Sequence, residues 1–141
     1  MATIFTRIIN GDIPGAFLWR DDKCVAFMSI NPMSHGHALV VPIAEVDHWV
    51  DLDSELSQHL FAVAHHISKA QQAAFSPERV GLIIAGYEVP HTHIHVLATN
   101  EMSDLSFSNA ATGVDREDLE RAATAIHRHL VAAGHDTGVT R

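Results

Sequence analysis

The sequence predicts an α+β domain, in which a five-stranded antiparallel sheet carries helices on one face. Three observations lead to this prediction. Five short segments rich in apolar and β-branched residues alternate with turn residues, and the tight turns between neighbouring segments favour antiparallel pairing. Two longer segments carry apolar residues at the spacing of an amphipathic helix. The 141 residues suit one compact domain with its own core, and they contain no internal repeat or linker.

The N-terminal region predicts one short helix and three strands. Residues 1–15 form the helix and a turn, because Ile4, Phe5 and Ile8 recur at helical spacing before Gly11. Polar or proline-containing turns then separate three predicted strands, which span residues 16–20, 24–30 and 37–41.

The remainder of the chain predicts two helices and two strands. The longer helix, 54–75, is capped by Asp53 or Ser54 and is ended by Ser76-Pro77. Two strands complete the sheet region 16–99, at residues 80–85 and 91–99. The single domain 1–141 closes with a polar loop and a second helix at 100–134 and with a loose tail at 135–141.

The composition narrows the possible functions. A net charge of −8, with His neutral, makes nucleic acid a poor partner. No apolar run could span a bilayer and no leader pattern is present, which predicts a cytoplasmic protein without membrane contact. The single cysteine, Cys24, excludes an internal disulfide. No Lys or Arg stands between Arg79 and Arg116, so a phosphate bound in that region must use imidazoles and backbone N–H groups.

The tract His91-Thr92-His93-Ile94-His95 is the strongest functional signal among the twelve histidines. Side chains alternate along a strand, so we expect His91, His93 and His95 on one exposed face, about 7 Å apart by Cα. Neighbouring titratable rings influence each other's charge, which suits chemistry better than packing. Either one ring attacks an α-phosphorus, or the rings bind Zn²⁺, or the polar face is a coincidence.

This tract and the sequence before it resemble the histidine-triad (HIT) family. The family motif is His-x-His-x-His followed by two apolar residues, which are here Val96 and Leu97. Three earlier segments resemble the family's opening helix and turn and its nucleotide-binding hairpin, at residues 4–14, 25–32 and 36–42. The resemblance runs from about Thr3 to Leu97. It implies an antiparallel five-stranded sheet with helices and a homodimer.

The resemblance also implies roles for individual residues. His93 aligns with the family's nucleophile, and His91 and His95 align with the members that orient it and contact phosphate. His37 aligns with a further histidine near the triad, although a turn residue is an equal interpretation. The apolar lining around the base and ribose aligns with Phe5, Ile8, Phe27 and Ile30. The implied partner is a purine nucleotide or a nucleotide conjugate, and no cofactor is implied.

Two residues of the expected nucleotide site depart from the family pattern. Ser29 stands where the family commonly has an Asp that accepts hydrogen bonds from the ribose hydroxyls, and a hydroxyl cannot chelate both as a carboxylate does. Glu88, followed by Val89, stands where many relatives have a small hydroxyl residue. Its carboxylate should repel a polyphosphate and favour a cationic or protonatable leaving group. Thr3 and Thr6 replace the cysteines of a zinc site in some bacterial relatives, so that metal is not expected.

The predicted function is therefore a nucleotide hydrolase or transferase that acts at the α-phosphate of a nucleoside phosphoramidate or related conjugate. The reaction would pass through a nucleotidyl-histidine on His93. His95 stands where the sugar-phosphate transferase branch has Gln, so a Hint-like phosphoramidase is favoured. The alternatives are a diadenosine-polyphosphate hydrolase, a non-catalytic nucleotide-binding or adaptor protein, and a metalloprotein that uses His91, His93 and His95.

Overall fold

The computed structural model describes residues 1–141 and contains the predicted succession of elements. The three helices are α1 (Ile4–Ile9), α2 (Ser54–Phe75) and α3 (Arg116–Ala132). The five strands are β1 (Phe17–Arg20), β2 (Cys24–Met28), β3 (Ala38–Pro42), β4 (Arg79–Ile83) and β5 (Ile94–Thr99). Short 3₁₀ turns occur in the loops before α2 and before α3.

All five strands form one antiparallel sheet with the order β1-β2-β3-β5-β4, which confirms the predicted fold class. The crossover through α2 places β5 between β3 and the edge strand β4. His95 therefore lies on an interior strand, opposite Leu39 of β3 on one side and Ile83 of β4 on the other. Pairing on both sides fixes its backbone within the sheet.

The two long helices begin and end where local sequence provides caps. The side chain of Asp53 accepts a hydrogen bond from the Leu56 amide at the start of α2, and Asp115 caps α3 in the same way. Ser76 ends α2 in the left-handed conformation with φ of 49°, immediately before Pro77. In this fold, no helix combines the length and the apolar character needed to cross a membrane.

The two faces of the sheet are covered by different helices. α2 and α3 pack on one face, where Leu60 and Ile126 meet strand residues such as Leu18 and Val40 in the larger core. The expectation of helices on one face holds for these two. β2 and β3 are buried along their whole length, so the opposite face needs an apolar cover as well.

The short helix α1 provides that second cover. Its Phe5 and Ile8 pack with Phe27, Leu39 and other strand residues in a smaller core. The Phe5 ring meets the Phe27 ring edge to face, with centroids 5.7 Å apart. The histidine tract lies on this face, so α1 decides what surrounds it.

Strand β5 begins later than the sequence predicts, at Ile94 instead of residue 91. The amide and the hydroxyl of Thr92 both donate to the carbonyl of Val46, each at 2.7 Å. The backbone before His93 is thus bonded to the loop after β3 and leaves the ladder with β4. The alternation of side chains still holds from Ile94 to Val96, where both apolar residues face the larger core.

The expectation of a loose C-terminal tail is wrong. The Thr137 carbonyl accepts a hydrogen bond from the Arg20 amide at 2.7 Å, on the outer edge of β1. The Thr137 side chain is buried and bonds to Nε2 of His127 on α3 at 2.8 Å. Arg141 donates to the carbonyl of Phe17 at 3.0 Å. The polar composition of the tail gives no sign of this packing, because the contacts are hydrogen bonds to other elements of the fold, which local composition does not encode.

Candidate active site

A cavity of about 320 Å³ opens on the α1 face of the sheet, a volume in the range of small-molecule sites. Apolar residues make up 14 of its 23 lining residues, so most of its wall suits a flat, weakly polar group such as a base. The structure brings all the predicted nucleotide-binding residues to this wall, which are Phe5, Ile8, Phe27, Ser29, Ile30, Glu88 and Val89. The histidines His37, His93 and His95 line the same cavity.

The histidine tract is buried, not exposed as the strand pattern predicted. His91, His93 and His95 are 0%, 1% and 5% exposed. The Phe5 ring stands edge to face with His93 at 4.8 Å, and Phe107 covers His95 in the same manner at 5.2 Å. The pattern correctly places the rings on one side of the sheet. Its periodicity carries no information about α1 and the loop before α3, which cover that side.

His91 does not contact the cavity, and the expectation that it contacts phosphate is wrong. Its Nε2 lies 2.7 Å from the carbonyl of Pro42, and its Nδ1 lies 2.7 Å from Oγ1 of Thr3. Because a carbonyl only accepts, Nε2 carries the proton and Nδ1 accepts from the threonine hydroxyl. Both ring nitrogens are therefore occupied. Its two hydrogen bonds connect the tract to β3 and to Thr3, the residue that caps α1.

His91 instead acts on His93 through its backbone. Its carbonyl lies 2.7 Å from Nδ1 of His93, so that nitrogen must donate its proton. In the neutral ring the lone pair is then on Nε2. This second nitrogen is directed towards the cavity side, where its partner is the carboxylate of Glu88. Because the backbone carbonyl of His91 fixes the proton on Nδ1, the lone pair of Nε2 has a defined direction, as a nucleophile requires.

A relay of hydrogen bonds fixes the proton on His95 as well. The amide of Met33 donates to Nδ1 of His37 at 3.1 Å, so the proton of neutral His37 is on Nε2. That Nε2 lies 2.9 Å from Nδ1 of His95 and donates to it. His95 therefore keeps its own proton on Nε2, which is directed towards the same point as Nε2 of His93. The relay converts His95 into a hydrogen-bond donor beside a nucleophile.

Glu88 completes the cluster of polar side chains by contacting both His93 and His95. Its Oε1 lies 2.5 Å from Nε2 of His93 and 3.1 Å from Nε2 of His95. A single carboxylate oxygen thus occupies the point on which both rings converge. Its side chain is 42% exposed, whereas the rings beneath it are buried. An anionic oxygen of a ligand that reached the same two nitrogens would have to displace this carboxylate.

Burial determines the charges of the supporting rings. Burial, with smaller contributions from His95 and His93, lowers the pKa of His37 to about 3. Burial also lowers the pKa of His95 and that of His91. For Glu88, partial burial is the largest single cause and opposes ionisation, but the hydrogen bonds with His93, His95 and its own backbone, together with the charge interaction with His93, outweigh burial and lower the pKa. The supporting rings of His37, His91 and His95 are thus uncharged at ordinary pH.

The donor set does not suit a metal ion. His91, His93 and His95 cannot act together as ligands, because both nitrogens of His91 are already bonded, so the three-histidine metal hypothesis is wrong. A second combination of Glu88, His93 and His95 places its ligand atoms within 4.8 Å of one another. The relay from Met33, however, leaves a proton on Nε2 of His95, where a metal requires a lone pair.

Two cavity residues escape sequence reasoning. Arg116, the first residue of α3, lines the cavity although it is 23 positions from His93 in sequence, and it pairs with Glu120 at 3.1 Å. The cavity wall therefore includes one arginine, although the sequence between Arg79 and Arg116 contains no Lys or Arg. Phe107 comes from the loop predicted as merely polar. Its aromatic character within that loop was the only available signal.

The fold and site define a class: small α+β proteins with a histidine cluster at the base of an apolar cavity. The chain belongs to the HIT family, since the model of the HIT domain matches residues 10–102. An uncharacterized HIT-like protein of Borreliella burgdorferi is 35% identical over 101 residues, which cover 67% of this chain and 73% of that protein.

Two further relatives extend the comparison over most of the chain. The adenylylsulfatase HINT3 of Arabidopsis thaliana is 27% identical over 136 residues, covering 90% of this chain and 68% of that protein. The crystal structure of a HIT-like protein involved in cell-cycle regulation from Bartonella henselae, with an unknown ligand, superimposes with a TM-score of 0.80. The two sequences are 26% identical, and the superposition covers 90% of this chain and 95% of the Bartonella henselae chain.

Proposed function

We propose that the protein hydrolyses a nucleoside phosphoramidate, or a related nucleotide conjugate, through a nucleotidyl-histidine on His93. One observation carries this proposal. The His91 carbonyl holds a proton of His93 on Nδ1, so the neutral ring has its lone pair on Nε2, which is directed towards an apolar cavity and contacts Glu88. Neutral imidazole nitrogen is a good nucleophile, and burial keeps competing water away from it.

The surrounding groups suit the charge that develops at phosphorus. Nε2–H of His95 is held in a fixed direction by the His37 relay and can donate to a phosphoryl oxygen without first reorienting. Arg116 supplies the one Lys or Arg side chain of the cavity wall. In phosphoryl transfer, positioning and electrostatic stabilisation of this kind account for most of the catalysis.

The remaining cavity accounts for the nucleoside part of the ligand. Phe5, Ile8, Phe27 and Ile30 offer apolar surface for a purine, and Ser29 offers a hydroxyl for the ribose. The similarity to an adenylylsulfatase agrees with a conjugate of AMP as substrate. The carboxylate of Glu88, with its lowered pKa, disfavours the further negative charge of a diadenosine polyphosphate.

The test compares wild-type protein with His93→Ala on an alkylamine-linked AMP. We expect wild-type protein to release AMP and the variant to lose at least about 10³-fold in kcat/KM, since the covalent step is removed. His65→Ala, an exposed position on α2, is the matched control and should retain full activity. Unchanged turnover by His93→Ala would refute the assignment.

A second candidate is a nucleotide-binding protein without catalysis, which the position of Glu88 in front of Nε2 favours. In that case wild-type protein binds AMP in calorimetry but releases none from any conjugate. Turnover that depends on His93 excludes this candidate.

We also propose that the protein is a homodimer. β4 is an edge strand with free backbone groups, and its Leu82 is 42% exposed. Light scattering on the purified protein should give twice the mass of one chain, and a mass of 15.4 kDa would contradict the proposal.

A further inference from the structure

One proton in the site is not accounted for by the ring tautomers. Nδ1 of His93 already donates its proton to the carbonyl of His91, so Nε2 of a neutral ring has only a lone pair. Oε1 of Glu88 lies 2.5 Å from that nitrogen. Two lone pairs at this separation repel each other, whereas a proton between them makes a strong, charge-assisted hydrogen bond. Glu88 and His93 therefore share one proton in the resting site.

That shared proton has to leave before His93 can attack. As long as it remains, the lone pair of Nε2 is engaged, and Oε1 occupies the space that a phosphorus atom needs. The incoming phosphoryl group must turn the carboxylate aside. Glu88 lies at the cavity wall with much of its side chain exposed, so it can move without disturbing the core.

We propose that Glu88 is the proton carrier of the reaction, which takes the shared proton from His93 and delivers it to the leaving group. The inference rests on the proposed function and adds to it the proton donor and the class of leaving group. A donor of this kind is needed by a basic leaving group, such as an aliphatic amine, which cannot depart as an anion.

The protons and electron pairs balance over both half-reactions. In the first, the Nε2 lone pair forms the P–N bond, the bond from phosphorus to the leaving group breaks, and the electrons of that bond receive the proton carried by Glu88. Glu88 is then a carboxylate beside a nucleotidyl-histidine. In the second, Glu88 takes a proton from water as its oxygen bonds to phosphorus, and the P–N electrons return to Nε2. The proton shared between Glu88 and His93 is thereby restored.

No other side chain of the cavity can play this part. The proton on Nε2 of His95 could be replaced only by Glu88 itself, which that nitrogen contacts, or through His37, whose Nδ1 accepts from the amide of Met33. An amide does not release its proton, so the relay can orient a proton but cannot resupply one. Arg116 does not deprotonate. Glu88 alone is in contact with both the nucleophile and solvent.

The test uses two AMP derivatives that differ only in the leaving group. One carries an alkylamine, which must be protonated to leave, and the other carries p-nitrophenol, which leaves as a stable anion. We compare kcat/KM, because it covers the reaction only up to release of the leaving group. The variants are Glu88→Gln and Glu88→Ala, with Glu78→Gln as a control that removes an exposed carboxylate elsewhere.

The decisive quantity is the ratio of kcat/KM for the alkylamine to that for the p-nitrophenyl compound. We expect this ratio to fall about 100-fold in both Glu88 variants and to stay unchanged in Glu78→Gln, in line with the usual contribution of a general acid. Because a ratio is compared, any general damage to folding, binding or the nucleophile cancels. Calorimetric binding of AMP by each variant provides a separate check of the fold.

The other outcomes overturn the inference in distinguishable ways. An unchanged ratio with lower activity on both compounds would make Glu88 a structural residue. Higher activity of both variants on both compounds would make it only a barrier to phosphate. In either case the proposed function stands and the proton carrier does not. If wild-type protein turns over neither compound, the proposed function fails and the inference fails with it.

Discussion

Replacing His37 by Gln removes a titratable ring from the site but preserves its hydrogen bond to His95. The amide nitrogen of Gln takes the approximate place of Nε2 and can donate to Nδ1 of His95, but it cannot be protonated. His37 is 2% exposed, and burial lowers its pKa from 6.5 to about 3. The substitution therefore isolates the effect of one buried, neutral histidine on folding.

The sign and size of that effect follow from proton linkage. Below pH 6.5 the unfolded chain binds a proton at this position, whereas the folded chain does not bind one until about pH 3. As the pH is lowered through this interval, the free energy of unfolding therefore decreases by about 1.4 kcal/mol per pH unit. Between pH 7 and pH 5 the contribution of His37 amounts to about 2 kcal/mol of lost free energy of unfolding.

Urea unfolding followed by tryptophan fluorescence measures this loss, since Trp19 is buried in the fold. We expect the drop in free energy between pH 7 and pH 5 to be about 2 kcal/mol smaller in His37→Gln than in wild-type protein. His65→Gln, at an exposed position, should show the full drop. Equal drops in wild-type protein and His37→Gln would mean that His37 takes up a proton in the folded state and that the relay to His95 is wrongly assigned.

Two further predictions concern the ribose and the tail. Ser29→Asp places a carboxylate at the cavity wall and should tighten the binding of AMP about fivefold, because the ribose hydroxyls of AMP can donate hydrogen bonds to it. The binding of 2′,3′-dideoxy-AMP, which lacks these hydroxyls, should not change. Equal effects on both ligands in calorimetry would contradict the assignment of Ser29 to the ribose. A chain that ends at Gly134 should lose about 3 kcal/mol of unfolding free energy, from three hydrogen bonds that join Arg20, His127 and Phe17 to the tail. An unchanged urea midpoint would show that the tail is dispensable.

Local sequence signals predict the elements of this fold well. The caps at Asp53 and Asp115 and the breaker Pro77 mark the helix ends, and periodicity separates strand from helix. The same signals do not indicate which other segments of the chain cover a given face of the sheet. His91, His93 and His95 are buried because α1 and the loop with Phe107 fold over them, and those are contacts between distant segments.

The composition of the site was predictable, but its proton arrangement was not. The family motif directs attention to His93, and the resemblance directs it to His37 and Glu88. Which nitrogen carries a proton depends on the backbone groups of Met33 and His91, whose positions no side-chain pattern encodes. Arg116 illustrates the same limit, since only the packing of α3 brings this residue to the cavity wall.

The central claim is that Nε2 of His93 forms a bond to phosphorus, and mass spectrometry can test it directly. Wild-type protein is mixed with p-nitrophenyl-AMP, quenched in alkali within the first turnover, and digested, since a phosphorus–imidazole bond is labile to acid. The account predicts one adenylyl group on the peptide that contains His93, and none on the His93→Ala protein. Release of p-nitrophenol without such an adduct at any quench time, or an adduct on His95, would contradict it.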